Sequence, residues 1–249
     1  MQSFKDPKWK AFVKKCKKRV ADDNKELGIT SIFLPQPKIC PKPKVLLIAM
    51  EPGMKTKEET EKNIKEGNVG FVHFTIDYCA YKYLCGGKFQ YQLVDFCKGA
   101  MTAKDAATKR LTRYENWLPL LKEEWELLGK PPIIAIGKGI YNTINKISKE
   151  KLGFELKIHN YIIHYSGVAN KYRQKEYDHF KLNSHLPNEN AKAEMQKTIE
   201  KLLKANGINA REEKWEKIIK RDIKRSQLFA IYKHNFEDFK TRRKIRHAD

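Results

Sequence analysis

The stretch "KVLLIAMEPGMK", residues 44–55, decides the fold. After Lys44 an unbroken apolar run meets Glu51-Pro52-Gly53. A run this short, bounded by turn formers, suits a strand buried on both faces, as in a parallel sheet covered by helices. Upstream, "FLPQPKICPKPK" (33–44) reads as an extended connector. Before it, Trp9, Phe12, Val13, Cys16 and Val20 recur at helical spacing among lysines. Downstream, "TKEETEKNIKEG" (56–67) predicts a polar helix stopped by Gly67. Three further strands are predicted at "FQYQLVDF" (89–96), "PPIIAIGKG" (131–139) and "LKIHNYIIHYSG" (156–167). Helices are predicted over 115–128, where Trp117, Leu120, Leu121, Trp125 and Leu128 share a face closed by Gly129, and around "IYNTINKI" (140–147). Met195, Ile199, Leu202 and Leu203 mark another, and Trp215, Ile218, Ile219 and Ile223 a basic one from about residue 211. Strands alternating with helices predict a three-layer α/β/α sandwich around a mainly parallel sheet of about four strands. The expected organisation is an α/β/α domain over 44–207. It is flanked by a basic helix and Pro-rich connector (1–43) and a basic helical extension (208–249).

Composition bounds the function. The 249 residues allow one substantial core rather than two. No apolar run is long enough for a bilayer and no signal-peptide core is seen at the N-terminus, so the expectation is a soluble, cytoplasmic, monomeric protein. Fifty-one Lys and Arg against 30 Asp and Glu leave a net charge of +21. Residues 1–20 hold eight bases and one acid, and residues 211–249 thirteen and seven. Such an excess gathers polyanions, and nucleic acid is the expected partner. Five cysteines without a CxxC pair argue against a disulfide framework. Buried thiols are the simpler reading, although Cys40, Cys79, Cys85 and Cys97 could together hold metal or an iron–sulfur cluster.

In open parallel α/β sheets ligands bind beyond the carboxyl ends of the strands. The four ends here carry Glu51-Pro52-Gly53, Asp95 with Lys98, the "GKG" of 137–139, and His164-Tyr165-Ser166. A carboxylate, an imidazole and a hydroxyl on one rim could bind a polar ring and assist hydrolysis. The order and pattern of "IAMEPGM" and "IIHYSGVA" resemble the paired motifs of the uracil-DNA glycosylase superfamily, whose first strand ends in G-x-x-P-G and whose late strand ends in H-P-S-P, or variants of these. "PPIIAIGKGIYNTI" is similar to that superfamily's third strand and following helix. The resemblance spans roughly residues 44–170. Ala49 stands where the first motif usually has glycine, and Tyr165 and Gly167 replace the two prolines of the second.

The resemblance implies a DNA glycosylase of base excision repair that flips a deaminated or modified base and needs no cofactor. It gives Glu51 the task of orienting water and stabilising positive charge on the sugar. His164 would stabilise the anion on the leaving base. Met50, Phe71, Phe74 and Asp95 would contact the base, with Phe71 or Phe74 stacking on it. Pro52, Gly53, Lys98, Ser166, Gly167, Lys171 and Arg173 would contact DNA, and Val168 would fill the gap that a flipped nucleotide leaves. The reading position on the second strand is typically Asn, which donates and accepts, whereas ionised Asp95 only accepts. Either the substrate is not plain uracil, Asp95 is protonated, or Asp95 is not the reader. A different class stays open beside the enzyme: a nucleic-acid-binding module that keeps the fold without the chemistry.

Overall fold

The structure, a computed structural model, describes residues 6–34, 40, 42–65, 74–153, 156, 158–164, 170–182, 193, 197 and 226–246. It divides into two compact units, residues 1–70 with 90–161, and residues 71–89 with 162–249. These do not coincide with the boundaries expected at 43/44 and 207/208. The expected helices around Met195 and Trp215 lie outside the described residues.

The sheet contains four parallel strands in the order β3-β2-β5-β6, flanked by helices as a three-layer sandwich requires. They are β2 (Val45–Ala49), β3 (Tyr91–Asp95), β5 (Ile133–Ile136) and β6 (Ile158–Ile162). All four strands fall within the expected apolar runs. All five residues of β2 are buried, as expected of a central parallel strand covered on both faces. β2 pairs with β3 from Val45↔Tyr91 to Ala49↔Asp95, and with β5 from Leu46↔Ile133 to Ile48↔Ala135. Two short strands, β1 (Ile32–Phe33) and β4 (Gly99–Ala100), form a separate antiparallel pair.

Helix α1 (Pro7–Leu27) is part of this core and not a flanking extension. Asp6 caps it by accepting from the Lys8 amide at 2.8 Å, Pro7 begins it, and Gly28 ends it in the left-handed region at φ 63°. Its apolar face, Trp9, Phe12, Cys16 and Val20, packs in one cluster with Leu46, Ile48, Val94, Trp117 and Leu121. The periodicity that predicted the helix therefore also marked its buried face.

Helix α4 (Ala103–Leu127) begins a dozen residues before the expected 115. Thr102 caps it, accepting from the Asp105 amide at 3.1 Å and donating to the Asp105 carboxylate at 2.9 Å. Helices α2 (Lys57–Lys65) and α5 (Lys138–Leu152) complete the described helices of this unit.

A buried polar network ties α1 to α4. Arg113 Nε donates to Asp23 at 2.8 Å, and both residues are fully buried. Arg113 Nη2 also donates to Ser31 Oγ at 2.8 Å and to the Gly99 carbonyl at 2.9 Å. The Trp117 indole and Arg19 donate to the same Asp23 carboxylate at 2.7 and 2.9 Å. Gly99 is required by crowding: a Cβ there would lie 2.5 Å from Arg113 Nη2 and 2.9 Å from Val20 Cγ2. Gly99→Ala is therefore expected to lower the melting temperature by several degrees in a thermal scan, since the network and not a flexible side-chain tip must give way.

The second unit contains α3 (Phe74–Cys79), which runs on into a π-helical turn at Ala80–Leu84, α6 (Asn170–His179) and α7 (Ser226–Arg246). Leu228, Ile231, Tyr232, Phe236 and Phe239 of α7 are buried, Phe229 stacks on Tyr78, and the Tyr232 hydroxyl donates to the Ile163 carbonyl at 2.9 Å. The C-terminal helix is thus a packed element of this unit, where the sequence suggested an appendage. No helix among the described residues is long and apolar enough to cross a membrane.

Candidate functional site

In the first unit, the parallel register Ala49↔Asp95 brings the ends of β2 and β3 level. The Phe96 amide donates to the carbonyls of Ala49 and Met50 at 2.9 and 3.0 Å, which holds the two exits together. Glu51 and Asp95 therefore share one rim, as read from the sequence.

Glu51 is a buried carboxylate, its side chain 4% exposed. Oε1 accepts from Arg110 Nε at 2.9 Å and Nη2 at 2.7 Å, and Oε2 accepts from the Tyr114 hydroxyl at 2.8 Å. Arg110 and Tyr114 stand four residues apart on α4, on one face and one turn from each other. The guanidinium meets the charge that burial would otherwise make costly. Burial, with Glu51 close by, raises the Tyr114 phenol well above its ordinary range, so it stays a donor. One lone pair on Oε2 is left for a further donor such as water.

Asp95 is set differently. It is half-buried, and its carboxylate accepts no hydrogen bond from the described residues. Burial pushes its carboxyl up to about 7; Lys98 opposes that shift, while Glu124 and Glu51 reinforce it. Near neutral pH, the group is divided between a neutral acid that can donate and a carboxylate that cannot. The folded state binds this proton more tightly than the unfolded chain does. Stability therefore falls as pH rises from about 4 to about 7, then levels off. Asp95→Asn is expected to remove most of that dependence, leaving the variant roughly 2–3 kcal/mol more stable than wild type at pH 8. Urea midpoints at pH 5 and pH 8 check this, and an unchanged pH slope in the variant would contradict it.

Lys98 is not the phosphate contact expected of it. It is 1% exposed, and its ammonium donates to the Glu124 carboxylate and to the Asp95 carbonyl. A lysine held in this way inside the core has no donor left at the surface. Its partner Glu124, on α4, is equally buried.

Pro52 and Gly53 do not form a tight turn. The chain stays extended, with the Met101 amide donating to the Pro52 carbonyl at 3.1 Å and the Met54 amide to the Met101 carbonyl at 3.0 Å, so that Gly53 bridges Met101. Gly53 is exposed, and a Cβ there would meet nothing within 4 Å. The backbone beside Glu51 is consequently open to close approach by a ligand. Met50 is partly buried against the core. At the end of β5, Gly137 takes φ 109° and begins α5, as the "GKG" reading implied, and Lys138 and Gly139 are exposed.

His164 belongs to the second unit, two residues past the end of β6, half-buried and engaged in interactions of its own. Arg173, expected at phosphate, is buried on α6. Lys171 is also on α6, and Phe74 opens α3. Phe71, Tyr165, Ser166, Gly167 and Val168 lie outside the described residues. None of the five cysteines is in a disulfide with another described residue. Among the described residues, no group of three or more His, Cys, Asp or Glu could hold a metal ion.

The residues missed from the sequence are Arg110 and Tyr114. They lie in the polar first half of α4, where apolar spacing gives no signal. A carboxylate at a strand end does not announce which distant helix will supply its donors. No known family model matches the chain, and no curated protein matches it.

Proposed function

We propose that the chain is a DNA glycosylase-like enzyme of base excision repair, flipping a deaminated or modified base, uracil or a related one, and hydrolysing its N-glycosidic bond. The observation that carries this is the pair of carboxyl groups at adjacent strand ends in opposite settings. Glu51 is met by a guanidinium and a phenol, while the Asp95 carboxyl accepts no hydrogen bond from the described residues and is pushed up to about 7. Two acids with divergent environments are what cleavage of a glycosidic bond uses.

In this scheme the remaining lone pair of Glu51 orients water, and its charge stabilises the sugar cation as the bond breaks. Protonated Asp95 donates its O–H to a base carbonyl and accepts the neighbouring ring N–H through its other oxygen. That removes the repulsion an ionised aspartate would have for a uracil-like edge. DNA is then the partner, met by a monomer in the cytoplasm.

The test is base release from labelled oligonucleotides carrying uracil, hypoxanthine, xanthine or hydroxymethyluracil, single- and double-stranded. Release of at least one base, faster at pH 6 than at pH 8.5, is expected. A second reading is favoured by a specific observation: both Glu51 oxygens are already hydrogen-bonded within the protein. That suits a nucleic-acid-binding module in which the carboxylate only fixes α4 to the sheet. No release from any substrate, with tight salt-dependent binding retained, would establish that reading instead.

A further inference from the structure

The outer face of α1 carries a concentration of unpaired charge. Its buried side is set by Trp9, Phe12, Cys16, Val20 and Asp23. At about 100° per residue, Lys10, Lys14, Lys17 and Lys18 fall within an arc of about 100° on the opposite side, over roughly 12 Å of axis. All four are exposed.

Some bases elsewhere are set against acids four residues away: Lys55–Glu59 and Lys57–Glu61 on or beside α2, Lys122–Glu126 on α4, Arg242–Asp238 on α7. Even on α1, Lys15 and Arg19, which lie off this arc, reach Glu123 and Asp23. Lys10, Lys14 and Lys18 have no acidic partner among the described residues, and Lys17 lies over the Phe33 ring at 5.5 Å. Two successive like-charge pairs at i,i+4 weaken a helix. Lys104 and Lys109 on α4 and Lys146 and Lys149 on α5 are likewise exposed and without an acidic partner among the described residues; α1 differs in gathering four such bases on one face of a single helix.

We propose that this lysine stripe on α1 docks the phosphate backbone of a nucleic acid, irrespective of base identity and as a surface separate from the Glu51–Asp95 rim. The four ammonium groups lie along the helix like a row of point charges, which suits a linear polyanion. An anionic membrane is the poorer fit. A helix lying on a bilayer must insert its apolar face, and that face of α1 is buried in the core, with Phe12 and Cys16 each 1% exposed.

The experiment is fluorescence anisotropy of the full chain with undamaged, random-sequence oligonucleotides across a salt titration. Wild type is compared with K10Q/K14Q/K18Q and with K146Q/K149Q/K240Q, which removes the same charge from exposed lysines elsewhere. Losing three phosphate contacts should flatten the log–log salt slope by about 2.7 on duplex and about 2.1 on single strands. Between 50 and 200 mM salt wild type would then lose about 40-fold more duplex affinity than the α1 variant. The control should keep the wild-type slope, and K14Q alone should flatten it by about 0.9. Parallel slopes for wild type and the α1 variant, or equal flattening in the control, would overturn the proposal. So would a variant that loses binding to phosphatidylserine vesicles while keeping its nucleic-acid slope. The α1 variant should melt no lower than wild type, because the substitutions relieve like-charge contacts. The oligonucleotides carry no base to excise, so this result and the base-release result can fail independently.

Discussion

Asp23→Ala is expected to destabilise the first unit by about 3–5 kcal/mol, the cost of leaving a buried cation without its carboxylate. Asp23 accepts from Arg113, Arg19 and Trp117, and both Asp23 and Arg113 are fully buried. Alanine removes the acceptor common to all three donors. The Arg113 guanidinium would then keep only Ser31 Oγ and the Gly99 carbonyl, while Nη1 already has no hydrogen-bond partner among the described residues. Urea denaturation followed by tryptophan fluorescence should show the loss, because Trp117 reports on the same site. Asp23→Leu with Arg113→Met should recover much of it, since replacing both partners by apolar groups of similar volume leaves no orphaned charge. A loss under 1 kcal/mol in Asp23→Ala, or a double variant as unstable as the sum of the singles, would show that the network does not hold α1 in place.

The same network shows where sequence reading stops. The four strands could be read because each is a short apolar run ending in turn formers, and burial of such runs needs no knowledge of the partner. Helix α1 was equally visible from Trp9, Phe12, Cys16 and Val20, but its place was not. Asp23 and Arg113 are 90 residues apart, and nothing local marks either charge as fully buried. The first half of α4, "AKDAATKRLTRY", hid for a related reason. It is mostly solvated, so its helical state shows in the Thr102–Asp105 cap rather than in apolar periodicity. Pro52-Gly53 read as a turn because those residues favour one. Pairing with Met101, some fifty residues away, keeps the segment extended instead. At the rim, Glu51 and Asp95 were legible as strand ends. Their opposite electrostatic settings were not, because these depend on Arg110, Tyr114, Lys98 and Glu124 arriving from elsewhere in the chain. Lys98 makes the point most simply: its position beside the rim suggested phosphate, and its burial assigns it to Glu124.

Glu51→Gln should reduce base release by about 10²–10³-fold, the usual effect of removing one preorganised charge from a site where charge develops. Glutamine keeps the volume but presents an amide N–H₂ to one of the two existing donors, so some stability is lost as well. The side variants separate the two effects. Tyr114→Phe removes only the hydrogen bond to Oε2, costing about 1 kcal/mol, and frees that oxygen; release should then fall by less than tenfold. Arg110→Met leaves a carboxylate that is only 4% exposed without its counter-charge. It should destabilise more than Tyr114→Phe while retaining measurable release, because the carboxylate is still present. If Glu51 is catalytic, release per folded molecule collapses in Glu51→Gln out of proportion to its melting temperature, and the three variants do not fall on one line of activity against stability. If Glu51 only ties α4 to the sheet, release per folded molecule stays near wild type in all three and only the melting temperatures drop. The ratio of initial release rate to folded fraction, measured well below each melting temperature, decides between a carboxylate that meets the substrate and one that serves the fold alone.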